Sequence, residues 1–295
     1  MNQNYTPSLE SDYRLCQSLI KQHSKSFYYA FSTLPRTDAN AVYAIYAFCR
    51  IADDAIDQAD DAETGGANLR QLKAELDAFV SGNVPQAPTW RALGDVVERY
   101  DIDEAMLYAQ VRGQEMDIHF EQPKEMDDLI HYSSHVAGSV GKLLLPILSD
   151  DLSEERKANA EKLGIAMQIT NILRDIGEDI RDHGRVYIPA SLLNEYGCSM
   201  TQLKAQKIDQ AFMDVWEHLA KEAEALYDDF RKEILHYKED SQLPLLVSLS
   251  VYREILNEVR SNDYDCFSKR NAVSMARKMK IRNEEIQFLK SIKNA

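Results

Sequence analysis

The stretch QITNILRDIGEDIRDHGRVYIP, residues 168–189, decides how this chain is read. It continues a helical pattern, and Gly184 and then Pro189 end it. Asp175 and Asp179 stand four apart within it, so on a helix both carboxylates project from one face, a turn apart. A second pair at the same spacing, Asp53 and Asp57, lies in CRIADDAID, residues 49–57. If the two helices face each other, four carboxylates converge on one cavity. Such a cavity repels itself when empty and demands cations. Hard oxygen ligands of this kind suit Mg²⁺, which in turn tends to bind substrate phosphates.

The spacing alone is cheap in an acidic chain. Asp57 and Asp61 also satisfy it, and the plain reading of one isolated pair is a solvated helix face. The surroundings argue otherwise. The apolar run AVYAIYAFC precedes the first pair and IAMQITNIL the second, so both pairs sit at the ends of segments expected to be buried. Buried carboxylates need cations. Arg50 and Arg174 lie close by along the chain and suit diphosphate oxygens or the orienting of the acids. Gln168 and Asn171 share the face of Asp175; a ligand or a neighbouring helix would satisfy their amides equally well.

Working outward, helical periodicity dominates and strand-like alternation is rare. Helices are expected over 10–31, 38–58, 67–81, 89–100, 103–119, 125–147, 153–181, 207–237, 243–261 and 272–293. Ser153 before Glu154 and Glu155 marks a helix start, Pro35 separates the first two helices, and TGGAN and GNVPQAPTW read as loops. No repeat, low-complexity segment or linker interrupts the chain. The fold expected is all-α, in one domain spanning 1–295, with a site built between facing helices.

The bulk numbers exclude some classes. With 295 residues, 44% of them hydrophobic, the chain can bury a sizeable core. A net charge of −14 argues against a nucleic-acid surface. Cys16, Cys49, Cys198 and Cys266 are scattered and read as free thiols of a reducing compartment. The opening MNQNYTPSLESDYR has no basic-then-apolar export pattern. The apolar run 136–148 contains Lys142 and falls below the roughly 18 residues a membrane span needs. A cytoplasmic protein follows, with loose membrane contact left open.

Two further segments stand out. HSKSFYYAF, residues 23–31, sets hydroxyls, His23 and Lys25 beside Phe27, Tyr28, Tyr29 and Phe31, as would suit an amphiphile with a charged head; an ordinary amphipathic helix is the plainer reading. HYSSHVAGSVGKLLLPIL, residues 131–148, carries Ala137, Gly138, Ser139 and Gly141, which let a second helix, or a ligand chain, approach the backbone. His119, His131, His135 and His183 have no metal-ligand spacing.

Together HSKSFYYAF, YAIYAFCRIADDAID, YSSHVAGSVG and QITNILRDIGEDIRDHGRVYIP resemble, in order, the motifs of the squalene/phytoene synthase family. The resemblance spans residues 15–285 and is greatest to bacterial dehydrosqualene synthases, with bacterial phytoene synthases close behind. It implies an isoprenoid-synthase helical bundle around a central substrate cavity. It implies that Asp53, Asp57, Asp175 and Asp179, with Asn171, hold about two or three Mg²⁺ ions and through them substrate diphosphates. It places His23, Ser24, Lys25, Tyr132, Gln168 and Asn171 at the substrate sites. Arg50 and Arg174 would contact diphosphate or hold the acids. Tyr252, in VYREILNEVR, and Arg270 would reach a diphosphate, Lys269 being the alternative to Arg270. Phe27, Tyr46 and Tyr132 would stabilise cations through their π faces.

The reaction so implied joins two farnesyl diphosphates head to head, through a cyclopropylcarbinyl diphosphate, to dehydrosqualene, a step of carotenoid synthesis. Two geranylgeranyl diphosphates would give phytoene instead, and NADPH would give squalene. The polar C-terminus EEIQFLKSIKNA lacks the anchor of eukaryotic squalene synthases, so proton loss is expected and NADPH is not. Phe31 and Tyr43 match positions that floor the tunnel of C30 enzymes. An insoluble product would call for peripheral membrane contact and a downstream desaturase, but no residue pattern carries either. The rivals are a terpene cyclase or chain-elongating prenyltransferase, which usually shows DDxxD, and a helical assembly factor, which gains nothing from four buried acids.

Overall fold

Polar caps and apolar stripes place the helices. The computed structural model describes residues 8–59 and 61–294; the expectation of no export pattern rests partly on residues 1–7, which lie outside them. The helices are α1 (Leu9–His23), α2 (Lys25–Phe31), α3 (Arg36–Asp57), α4 (Ala62–Val80), α5 (Pro88–Arg99), α6 (Glu104–Ile118) and α7 (Met126–Ser133). They continue as α8 (Ser139–Leu148), α9 (Glu154–Glu178), α10 (Ala190–Glu195), α11 (Met200–Lys204), α12 (Gln210–Lys232), α13 (Glu239–Ser261) and α14 (Met275–Lys293). No strand occurs among the described residues, and none of their helices is long and apolar enough to cross a membrane. All four cysteines are buried free thiols.

The expected start of α9 is present: Ser153 Oγ accepts the Arg156 amide, ahead of Glu154 and Glu155. Its end is also as read, with Gly184 at φ +67° closing a π turn over Asp179–His183. Other expectations are corrected. TGGAN lies inside α4, because Asp61 caps the Thr64 amide at 2.8 Å and starts the helix early, letting Gly65 pack on α3. Residues 10–31 form two helices that break at Ser24, whose φ of −137° is not helical. A π turn, Ser134–Gly138, separates α7 from α8, and α10 and α11 fill a stretch read as irregular.

One hydrophobic core runs from Tyr13 to Ile281, with α9 at its centre. α9 packs most extensively on α12. There the fully buried Trp216 donates to the Leu173 carbonyl at 3.2 Å and the Tyr227 hydroxyl meets Thr170 at 2.9 Å. Fully burying such an aromatic contributes roughly 1.5–3 kcal/mol. On its other side α9 meets the π turn Ser134–Gly138 and α8 at backbone distance. A Cβ on Gly164 would lie 2.1 Å from the Ala137 carbonyl oxygen, and one on Gly141 2.2 Å from that of Ala160. The small residues of 131–148 therefore serve helix contact. This crossing opens a cavity flanked by α3, α8, α9 and α13.

Candidate active site

Two connected cavities meet between α3 and α9. The outer one, about 1750 Å³ of unfilled space including its mouth, is polar. Asp53, Asp57, Asp117, Asp175, Glu178, Asp179 and Asp182 line it, against Arg50, Arg185 and Arg270. The inner one, about 960 Å³ of unfilled space including its opening, is mainly apolar, with Phe27, Phe31 and Tyr46 on one wall and α8 and α9 on the other. Asp53, Val136, Gln168 and Asn171 border both, so the acids sit at the neck of a hydrocarbon-lined space.

The two aspartate pairs do face one cavity, but they are less enclosed than expected. Asp57 is exposed, and Asp53, Asp175 and Asp179 are half-buried. They project from helix ends into the cavity, where solvent reaches them. Asp53 accepts from Gln114 Nε2 at 2.5 Å and more weakly from Gln110. Arg50 is paired with Asp54, leaving its buried Nε without an acceptor among the described residues. Asp175 is clamped by both Arg174 (2.7 and 2.5 Å) and Arg270 (3.4 Å). Asp179 begins the π turn, a distortion common at functional sites.

The electrostatics follow from this pairing. Burial and the neighbouring Asp57 push the Asp53 carboxyl up to about 7, with Arg50 opposing. Burial, Asp175 and Glu178 push Asp179 up to about 8. Both carboxyls therefore give up their protons less readily than free aspartate, and a bound cation would favour their ionised form. Among the described residues no three acidic, His or Cys side chains form a ready-made metal cage.

Sequence reasoning missed a second hub. Asp117, on α6, accepts the hydroxyls of Tyr132 (3.0 Å) and Tyr187 (2.8 Å), with Arg185 at 3.8 Å. The two tyrosine rings stack at 4.9 Å. Burial pushes Asp117 up against the opposing pull of Arg185 and both hydroxyls. Tyr187 and Arg185 lay inside the stretch 168–189; an aromatic and a cation packed between two chain breakers were their signal. Gln114 and Asp117 carried none.

The remaining expected residues divide. His23, Tyr132 and Arg270 line the acidic cavity. Ser24, Phe27, Phe31, Tyr46 and Tyr252 line the apolar one, where the Phe27 ring lies 4.5 Å from Phe31 and 6.2 Å from Tyr46. Arg174 lines neither and reaches the site through Asp175. Lys25 also lines neither; it is exposed beside the buried Lys278, whose ammonium burial and Lys25 push down. Tyr43 lies away from the inner cavity, against Tyr28 at 5.9 Å, on an outer groove.

A squalene/phytoene synthase family model matches residues 20–277. The chain is 36% identical over 275 residues to a 4,4'-diapophytoene synthase of Staphylococcus haemolyticus, covering 93% of this chain and 96% of that protein. It is 31% identical over 283 residues to a 15-cis-phytoene synthase of Synechococcus elongatus, covering 92% and 91%. The crystal structure of a dehydrosqualene synthase in complex with ligand superposes with a TM-score of 0.91 at 42% identity, over 96% of this chain and 98% of that one.

Proposed function

The chain belongs to the squalene/phytoene synthase family, prenyltransferase-type enzymes of isoprenoid synthesis, and we propose that it joins two farnesyl diphosphates head to head to give dehydrosqualene. One observation carries the reading: an acid-lined cavity opens at Asp53, Gln168 and Asn171 into an apolar one of hydrocarbon shape. A molecule filling both needs an anionic head and a long greasy tail. The continuous core supports treating the chain as one domain.

The donor set fits a hard divalent cation. It consists of carboxyls, two of them held above the usual range by burial and by neighbouring acids, and an amide oxygen. Asp53, Asp57, Asn171, Asp175 and Asp179, which line the outer cavity, would hold Mg²⁺ together with substrate phosphate oxygens. Bound there, Mg²⁺ supplies charge neutralisation for a departing diphosphate.

The chain's own groups supply the rest. Arg50, paired with Asp54, lines the acidic cavity, and its guanidinium suits an anionic oxygen there. Arg174 and Arg270 hold Asp175 in one orientation. Loss of diphosphate from one donor leaves an allylic cation, and the double bond of the second attacks it. A proton departs as the cyclopropane closes; the second diphosphate then leaves, the skeleton rearranges and a second proton is lost. Phe27, Phe31 and Tyr46 face the cationic carbons with π clouds and exclude water. Asp117 accepts the Tyr132 hydroxyl and fixes it at the wall of the acidic cavity.

Purified protein incubated with Mg²⁺ and either farnesyl or geranylgeranyl diphosphate, with and without NADPH, tests this reading. A C30 hydrocarbon with triene absorbance, unaffected by NADPH, is expected. A C40 product from the longer donor in preference, or a reduced C30 product, would replace it with the phytoene or squalene alternative.

A further inference from the structure

Asp53 is held from α6 rather than from its own helix. Gln110 and Gln114 stand one turn apart on α6, and both side chains reach this acid. Gln114 Nε2 donates to Asp53 Oδ1 at 2.5 Å, and Gln110 Nε2 to the same oxygen at 3.4 Å. Among the described residues no donor lies at hydrogen-bond distance from the other oxygen, Oδ2. Gln110 is held in turn. Its Oε1 accepts the Ser139 hydroxyl at 3.2 Å, and that hydroxyl also meets the His135 carbonyl of the π turn at 2.5 Å. Gln110, Gln114 and Ser139 are all more than nine-tenths buried.

Burying two amides costs more than burying aliphatic side chains of the same size, so packing alone does not account for them. Their placement has a consequence for charge. Two neutral donors fix the carboxyl without cancelling its charge. Asp175, on the same cavity, is instead gripped by Arg174 and Arg270. Arg50, the cation nearest to Asp53 along the chain, is paired with Asp54. With Oδ1 taken by both amides, Oδ2 is the oxygen left for a cation.

We propose that Gln114, braced by Gln110 and Ser139, is a positioning residue: it holds Asp53 by Oδ1 so that Oδ2 meets a divalent cation with the charge of the acid uncompensated. The inference rests on the proposed reading of the site in one respect, that Asp53 is a cation ligand, and requires nothing of the prenyl substrate.

The test titrates Mg²⁺ alone into the full-length protein and follows Tm, with no substrate present. The wild type shows a saturable rise. Gln114→Met keeps the length of the side chain and removes the donor, and half-saturation moves to Mg²⁺ concentrations about tenfold higher or more. Gln110→Met, which removes the longer bond, moves it less. In an Asp53→Asn background Gln114→Met adds no further shift, because the amide acts only through that carboxyl. Gln114→Leu serves if the methionine variant does not fold. Half-saturation unmoved in the folded Met or Leu variant, the same shift repeated in the Asp53→Asn background, or no saturable rise in the wild type overturns the proposal. The expected shifts in a protein that makes no hydrocarbon from any prenyl donor overturn the reaction while leaving the positioning role in place.

Discussion

Asp53 takes its hydrogen bond from Gln114, at 2.5 Å, while the arginine one turn before it, Arg50, is turned to Asp54. The acid at the neck of the two cavities is therefore held by a neutral amide, and its charge is left for something else to neutralise. Asp53→Asn keeps the shape and removes that charge. Turnover is expected to fall by about a hundredfold or more, with helicity unchanged by circular dichroism and Tm in metal-free buffer at pH 8 equal or higher.

Metal-free stability has a sign that follows from the raised carboxyls. Asp53, at about 7, and Asp179, at about 8, keep protons in the folded state that the unfolded chain releases near 4. Where the native state binds more protons, stability falls as pH rises. The contribution of these two groups is complete below pH 4 and lost through pH 7–8. Mg²⁺ offsets the loss only where the acids are ionised. The rise in Tm on adding Mg²⁺ in place of EDTA is therefore expected to be larger at pH 8 than at pH 5.5. Equal rises at both pH values would separate the metal from these carboxyls.

Asp117 holds two tyrosine hydroxyls and faces Arg185. Asp117→Ala leaves both hydroxyls without that acceptor and takes the opposing carboxyl from Arg185, which keeps only the backbone carbonyl of residue 117. A loss of roughly 2–4 kcal/mol in denaturant unfolding is expected, together with at least a tenfold fall in kcat. Tyr187→Phe, which frees only one bond, should cost about 1 kcal/mol and leave kcat within a few-fold.

Gly164 lies against the Ala137 carbonyl where α9 crosses the π turn that precedes α8. Gly164→Ala forces the backbones apart and is expected to lower stability by roughly 1–3 kcal/mol or more, against a near-neutral effect for Gly66→Ala, where only the Arg70 side chain is near. Thermal unfolding of both variants checks the contrast.

Phe31 is fully buried and lines the inner cavity. Phe31→Ala is expected to cost about 3–5 kcal/mol and to let the enzyme turn over C20 donor. An unchanged product size in the folded variant would remove Phe31 from chain-length control.

Much of the site was legible because its acids lie on two long helices with strong periodicity. On α3 and α9 a spacing of four maps directly to one face, and the neighbouring Gln168 and Asn171 follow the same rule. Asp117 was not legible for the opposite reason. It sits near the end of α6, well separated along the chain from both aspartate pairs, and only packing brings it to the cavity. Helix boundaries failed where short-range caps outweigh composition: Asp61 starts α4 ahead of two glycines, and Ser24 divides a run that reads as continuous. Tyr43 shows the limit of matching by position, since facing inward from α3 is not the same as reaching the cavity.

The account turns on charge at the neck drawing a cation to a departing diphosphate. The most direct measurement is release of inorganic pyrophosphate from farnesyl diphosphate, followed with Mg²⁺ and with EDTA, in the wild type, Asp53→Asn and Asp175→Asn. Release is expected at two pyrophosphates per hydrocarbon in the wild type with Mg²⁺, and at background in EDTA and in both variants. Full-rate release in EDTA, or in either folded variant, would contradict the account.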